Sequence, residues 1–401
     1  VKLVALSPQQ LRVKEALPFG VRDAEGRLLL GAGQMIDSRS ALDELLKLSL
    51  FVDETESQDW NRRVAAAMDL ALRQGAALKD VVAARPEPVN KDAAQARQLT
   101  LIESWQELVL QLDSVLRDVR PGSDWRVRLM QVHGRARVMT EKRPDASLYH
   151  LVFEAGSSVQ RYSCNHALLS LVICEQAAAM LGWAPAWVDS LGRSALLMNV
   201  AMLRLQDQLA TASAAPSAEM RRAIAAHPQA GAEMLAAAGW TDTLCLDVVR
   251  AHHDVGDQTR PLADLSPAEQ LTRLLHRVDV FAAKISRRAT RQPMSPVQAA
   301  REACLGAGGV PDEIGSALLR AVGLYPPGSF VELVSGEVGI VIKRGRRANL
   351  PLVASLVSAS GNVVAEPAVR DTLDQRHAVK GALAPALVKV RPPHERLMAL
   401  R

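Results

Sequence analysis

Leu244-Cys245-Leu246-Asp247-Val248-Val249-Arg250-Ala251-His252-His253-Asp254 runs from an apolar helical pattern straight into two adjacent histidines. The residues from Asp254 to Pro261 are turn-forming, so the pair stands at a helix end. Another histidine lies upstream in Ala226-His227-Pro228, and His166 lies further upstream. Downstream is Asp279, in Arg277-Val278-Asp279-Val280-Phe281. Imidazoles and a carboxylate spread over successive helical segments form the donor set of a metal centre inside a helix bundle. The fold expected around them is therefore mainly α.

The totals agree with this. Aromatic residues make up 3% of the chain and alanine is abundant, which favours closely packed helices over a β-rich fold. A hydrophobic content of 48% with 23% charged residues is that of a folded protein. At 401 residues the chain is long enough for two or three cores, since one core rarely grows past about 250 residues. The net charge is +5 and no basic stripe is interleaved with aromatics, so nucleic acid is not an expected partner. Cys164, Cys174, Cys245 and Cys304 form no C-x-x-C pair and are expected as reduced, buried thiols, which fits a cytoplasmic protein. The most apolar long run, Ala167 to Val188, is broken by Glu175, Gln176 and Pro185, so it reads as a core helix and not a membrane span. Val1-Lys2-Leu3-Val4 opens no long apolar run and no cleavage signature, so a leader peptide is not expected.

Four regions follow from the pattern. Residues 1–56 read as a small α+β module. Strand-like Leu17 to Val21 and Arg27 to Leu30 flank a turn at Asp23-Ala24-Glu25-Gly26, and Ser38 is placed to cap a helix from Arg39 to Leu50. The acidic run Asp53-Glu54-Thr55-Glu56 is expected to mark a boundary. Residues 57–155 read as a helical linker or regulatory region. It has helices from Trp60 to Ala83 (interrupted at Gly75), from Ala93 to Val119, and from Trp125 to Thr140, with Arg85-Pro86-Glu87-Pro88 as a linker. His133 and His150 stand alone there and are expected as core or surface residues.

Residues 156–325 read as six or seven helices around a central one, Cys164 to Leu181, apolar on nearly every face. Ser217, Ser266-Pro267 and Ser295-Pro296 are helix starts. Residues 326–401 read as a β-hairpin appendage and a tail with little pattern beyond Thr372. Its basic tip, Lys343-Arg344-Gly345-Arg346-Arg347, reads as a solvated edge turn.

From Tyr162 to Asp371 the chain resembles the HD-GYP family of the HD superfamily of metal-dependent phosphohydrolases. The resemblance rests on Tyr162-Ser163-Cys164-Asn165-His166, Ala226-His227-Pro228 with Gly231, His252-His253, and Asp279-Val280-Phe281. It continues in Ser295-Pro296 and in Gly323-Leu324-Tyr325-Pro326-Pro327-Gly328-Ser329. It implies a helix bundle that holds two or three metal ions and hydrolyses cyclic di-GMP. It also implies metal-ligand positions at His166, His227, His252, His253 and Asp279, and nucleotide contacts at Arg288 and Arg291.

Against the family pattern, Met198-Asn199 stands where the His-Asp pair belongs. Met202 replaces a lysine, and Asp257-Gln258-Thr259-Arg260-Pro261 replaces the Gly-Tyr-Pro loop. A bridging aspartate offsets the charge of two dications, which neutral Asn199 cannot do. The Met198 thioether is a poor donor for iron or manganese. A binuclear centre is therefore not expected. His227, His252 and His253 leave three nitrogens, a number that suits zinc with one open position.

The reading that follows is a catalytically degenerate HD-GYP-like protein of cyclic di-GMP signalling, which acts by binding a signalling protein or the nucleotide. No resident cofactor and no confident catalytic residue are expected. The alternative is a phosphohydrolase with one divalent ion (Fe, Mn or Zn) on the three histidines. A third reading, a scaffold like the non-catalytic HDOD relatives, fits the surviving His-Pro and His-His pairs less well.

Overall fold

The computed structural model describes residues 2–36, 39–74, 77–83, 99–254, 256–306 and 309–400. Ser38, Gly75, the linker Arg85-Pro86-Glu87-Pro88 and the helix onset at Ala93 lie outside the described residues. The chain is mainly helical, with one small sheet towards each end, as the sequence implies. It divides into two compact units, Val1–Leu110 and Gln111–Arg401.

In the first unit, strands β1 (Leu3–Ala5), β2 (Val21–Arg22), β3 (Leu28–Leu30) and β4 (Phe51–Asp53) form an antiparallel sheet in the order β1-β4-β2-β3. Phe19, Val21, Ile36 and Val52 lie in its core. Helix α1 is Arg39–Leu46, shorter than the expected Arg39 to Leu50, because the chain turns at Leu48, whose N–H donates to Leu45 O, before Phe51–Asp53 pairs with Leu3–Ala5. Three residues are too few to show a strand period in sequence. The acidic run at Asp53 is a helix start: the Asp53 carboxylate accepts from the Thr55 and Glu56 amides. Glu54 and Glu56 fill the first turn, where the helix dipole favours them. Helix α2 thus begins at Glu54, not Trp60, and runs to Arg73. Helix α3 is Leu78–Ala83, and α4 is Leu101–Arg117. Thr100 and Glu103 cap α4 reciprocally, and Glu103 also accepts from the buried Arg22 at 2.9 Å.

The second unit holds α5 (Trp125–Lys142), α6 (Pro144–Ser157), α7 (Tyr162–Met180), α8 (Pro185–Leu197), α9 (Leu203–Thr211), α10 (Ala218–Ala237) and α11 (Thr243–Ala251). It continues with α12 (Pro267–Ile285), α13 (Pro296–Cys304) and α14 (Glu313–Val322). The apolar helix α7 is central and packs against α6, α8, α12 and α14. The histidines expected to stand alone are both buried. His133 pairs with the α7 carboxylate Glu175 at 2.7 Å, and Gly192 on α8 leaves the room: a Cβ there would come within 2.6 Å of both groups.

The run Pro185 to Leu209, expected as one segment, is two helices separated by a break. Helix α8 stops at Leu197, and Val200–Met202 forms a tight 3₁₀ turn closed by Met202 N–H donating to Asn199 O. Met198-Asn199 therefore stands at a helix junction.

The C-terminal sheet has five antiparallel strands in the order β8-β7-β6-β5-β9. They are β5 (Phe330–Leu333), β6 (Val338–Lys343), β7 (Leu352–Val357), β8 (Val369–Asp371) and β9 (Val379–Leu383). The tail is more ordered than its sequence suggests: β9 pairs with β5, and helix α15 (His394–Ala399) buries Leu397 in a cluster with Tyr149 and Phe330. Such partners, distant in sequence, leave no local period to read.

Candidate metal centre

Helix α10 contains Pro228, which has no N–H to offer the Ile224 carbonyl four residues earlier. His227 takes that place: its Nδ1–H donates to Ile224 O at 2.6 Å. His252 caps the C-terminus of α11, where helix carbonyls also lack partners, and its Nδ1–H donates to Val249 O at 2.7 Å. Each Nδ1 is therefore the protonated nitrogen, and each Nε2 carries a lone pair.

Those two Nε2 atoms face each other at 3.1 Å. Two lone pairs repel at that distance unless a proton or a cation lies between them. Two nitrogens bound to a tetrahedral ion at about 2.0–2.1 Å stand roughly 3.4 Å apart, so the spacing fits a chelate. His253 completes the group: one donor atom from each of His227, His252 and His253 lies within 4.8 Å of the others. His227 and His252 are buried, whereas His253 is exposed and leaves one side open. Burial holds all three imidazoles below the ordinary histidine range, and for His252, with His253 adding to the effect, down to about 4. They are neutral ligands near pH 7. The donor set fits one borderline ion such as zinc, and no carboxylate joins this group among the described residues.

The other expected ligands are brought to each other. His166 Nε2 and Asp279 Oδ1 are 2.7 Å apart. Burial alone would raise the Asp279 carboxyl, but the hydrogen bond and charge of His166, with His252 and His253 nearby, hold it far below the usual carboxylate range. His166 Nδ1 is buried without a hydrogen-bond partner among the described residues. Met198 is fully buried, Asn199 is 7% exposed, and Met202 is half-buried. In this structure the His166 imidazole and the Asp279 carboxylate pair with each other, and position 199 supplies a neutral amide in place of a charge.

Arg288 donates to the Tyr162 hydroxyl at 3.0 Å, with its guanidinium 5.2 Å from that ring centre. Tyr162 in turn stacks on His166, with ring centres 5.8 Å apart. Arg291 is exposed and donates to Ala283 O near the end of α12, as a helix-terminal arginine would. The segment Asp257-Gln258-Thr259-Arg260-Pro261 is anchored by buried Arg273, which donates to Asp257 O at 2.8 Å and to Arg260 O at 2.9 Å.

Sequence reading missed His276. It lies one turn before Asp279 on α12, its Nδ1–H donates to His252 O at 3.0 Å, and its ring meets that of His253 edge-on with centres 6.1 Å apart. The i, i+3 spacing from His276 to Asp279 was the available signal.

No family model matches the chain. A curated relative does. Over 142 residues the chain is 33% identical to the cyclic di-GMP phosphodiesterase PA4108 of Pseudomonas aeruginosa. The match spans 34% of this chain and 34% of that relative. Among solved structures, Bd1817, an HDG"Y"P protein from Bdellovibrio bacteriovorus, aligns with 79% of this chain and 98% of its own, at 14% identity and a TM-score of 0.41. No helix among the described residues is long and apolar enough to cross a membrane.

Proposed function

We propose that this chain is a degenerate HD-GYP-type module of cyclic di-GMP signalling. It works in the cytoplasm by binding the nucleotide or a signalling protein and does not hydrolyse the nucleotide. The observation that carries this reading is the 2.7 Å pairing of His166 with Asp279, beside a chain that offers Met198-Asn199 where a charge-bearing ligand pair belongs. The similarity to PA4108 supports the signalling context. Arg288, tied through Tyr162 to His166, is the cation best placed to hold a phosphate; Arg291 is the second candidate.

The test is metal content and cyclic di-GMP turnover of the purified protein beside the double variant Met198→His, Asn199→Asp. Two ions per chain with turnover in the unaltered protein would overturn the reading. Binding of cyclic di-GMP without turnover, lost in Arg288→Ala, is the expected result for a nucleotide receptor.

A second reading is favoured by the convergence of the His227 and His252 Nε2 atoms: one divalent ion, with zinc preferred over iron or manganese, on His227, His252 and His253. Such an ion would supply Lewis acidity for a phosphohydrolase reaction or a structural clamp. His227→Ala is expected to abolish its binding.

A further inference from the structure

We propose that His276 is a positioning residue for the three-histidine centre, an inference that rests on the one-ion reading above. The helix carrying the pair ends at Ala251, and Asp254 N–H turns back to Ala251 O at 2.6 Å. The His252 carbonyl stands at this end, where the helix's own amides no longer supply donors. Its donor comes from α12: His276 Nδ1–H at 3.0 Å.

The same imidazole meets the His253 ring at an interplanar angle of 88°. One side chain therefore touches both members of the pair, the first through its backbone and the second through its ring. His227 sits on α10, His252 caps the C-terminus of α11, and His253 lies beyond that end. Without a brace, the turn carrying His253 could swing away from His227 while the buried part of α11 stayed in place. Nδ1 of His227 and of His252 are already fixed on carbonyls of their own helices. His276 supplies the constraint those two bonds cannot, because it ties the end of α11 to α12. It lies outside the three-histidine group.

The two nitrogens of His276 can be mimicked separately. Asparagine places an N–H near the Nδ1 position, whereas the glutamine amide reaches to the Nε2 position. Outer-shell partners of metal-ligating histidines typically govern about 10- to 100-fold in metal affinity. Full-length protein is titrated with Co(II), with Zn(II) in competition, and the Co(II) absorption spectrum is recorded with the affinity. His276→Leu and His276→Gln are expected to weaken binding by at least about 10-fold and to alter the spectrum, while His276→Asn restores both.

A merely structural histidine would lower the melting temperature without changing the spectrum of the folded fraction. If His276→Leu does not fold, the Asn and Gln variants decide. Equal affinity and spectrum in wild type, Asn and Gln overturn the assignment of His276 and leave the one-ion reading standing. Absence of Co(II) and Zn(II) binding in the wild type overturns both.

Discussion

Asparagine and aspartate differ little in shape, and at position 199 the difference that matters is a charge. Asn199 is buried, so a carboxylate there needs a cation to offset its desolvation. In chelator-treated protein, Asn199→Asp is expected to lower stability by about 3 kcal/mol, read by thermal unfolding, with recovery on adding Mn(II) or Zn(II). No recovery with any divalent ion would place position 199 away from any ion-binding site. Pro228 acts through an absence. It lacks the N–H that would occupy Ile224 O, and His227 uses that carbonyl to fix its tautomer. Pro228→Ala returns a competing donor. Co(II) affinity is expected to fall several-fold with no loss of melting temperature, and an unchanged affinity would show that the tautomer is set elsewhere.

At the scale of elements, the helix carrying Asp279 is defined at its start by a capping box: Ser266 Oγ accepts from Glu269 N, and the Glu269 carboxylate accepts from Ser266 N. Ser266→Ala is expected to cost about 1 kcal/mol in urea unfolding. The turn that opens the C-terminal sheet is held differently. Gly328 has φ +90°, and a Cβ there would lie 2.3 Å from Tyr149 O, in backbone that cannot retreat. Gly328→Ala is expected to cost more than the cap, at least about 2 kcal/mol, because strain and clash add. Equal losses in the two variants would mean that α6 yields at this contact. The first feature was legible beforehand, with Ser266-Pro267 as a helix start. The break at Met198-Asn199 was not, since neither residue is a helix breaker and only the packed surroundings end α8 there.

For the Gln111–Arg401 unit as a whole, acid is the informative stress. Glu337 accepts from Arg370 at 2.8–3.1 Å and from Ser335 and Ser355 at 2.9 Å. The hydrogen bond to Arg370 leads in lowering its pKa from 4.5 to about 2. Between those values the unfolded chain binds the proton that the folded chain refuses. The stabilisation is therefore complete above the unfolded pKa and lost as pH falls towards about 2. A depression of this size corresponds to an upper bound on the order of 3 kcal/mol. Asp312 adds in the same direction: burial would raise it, but the bidentate bond from buried Arg277, 2.5 Å on each side, lowers it. Urea midpoints measured from pH 5 to 2 should fall more steeply in wild type than in Arg370→Met. Parallel curves would deny Glu337 its share.

The sequence alone determined the helical class, the central position of α7 and the helix starts at Ser217, Ser266 and Ser295, and it named His227, His252 and His253 as a candidate donor set. These depend on local periodicity, capping and residue type, which act over a few residues. Tertiary structure decided the contacts between the donors. It set one donor atom from each of His227, His252 and His253 within 4.8 Å of the others and joined His166 to Asp279 across 113 positions. It also brought His276 under the His252 carbonyl and closed the C-terminal sheet with β9. Each of these is a contact between segments distant along the chain, and such contacts are fixed by packing, for which linear spacing carries no signal.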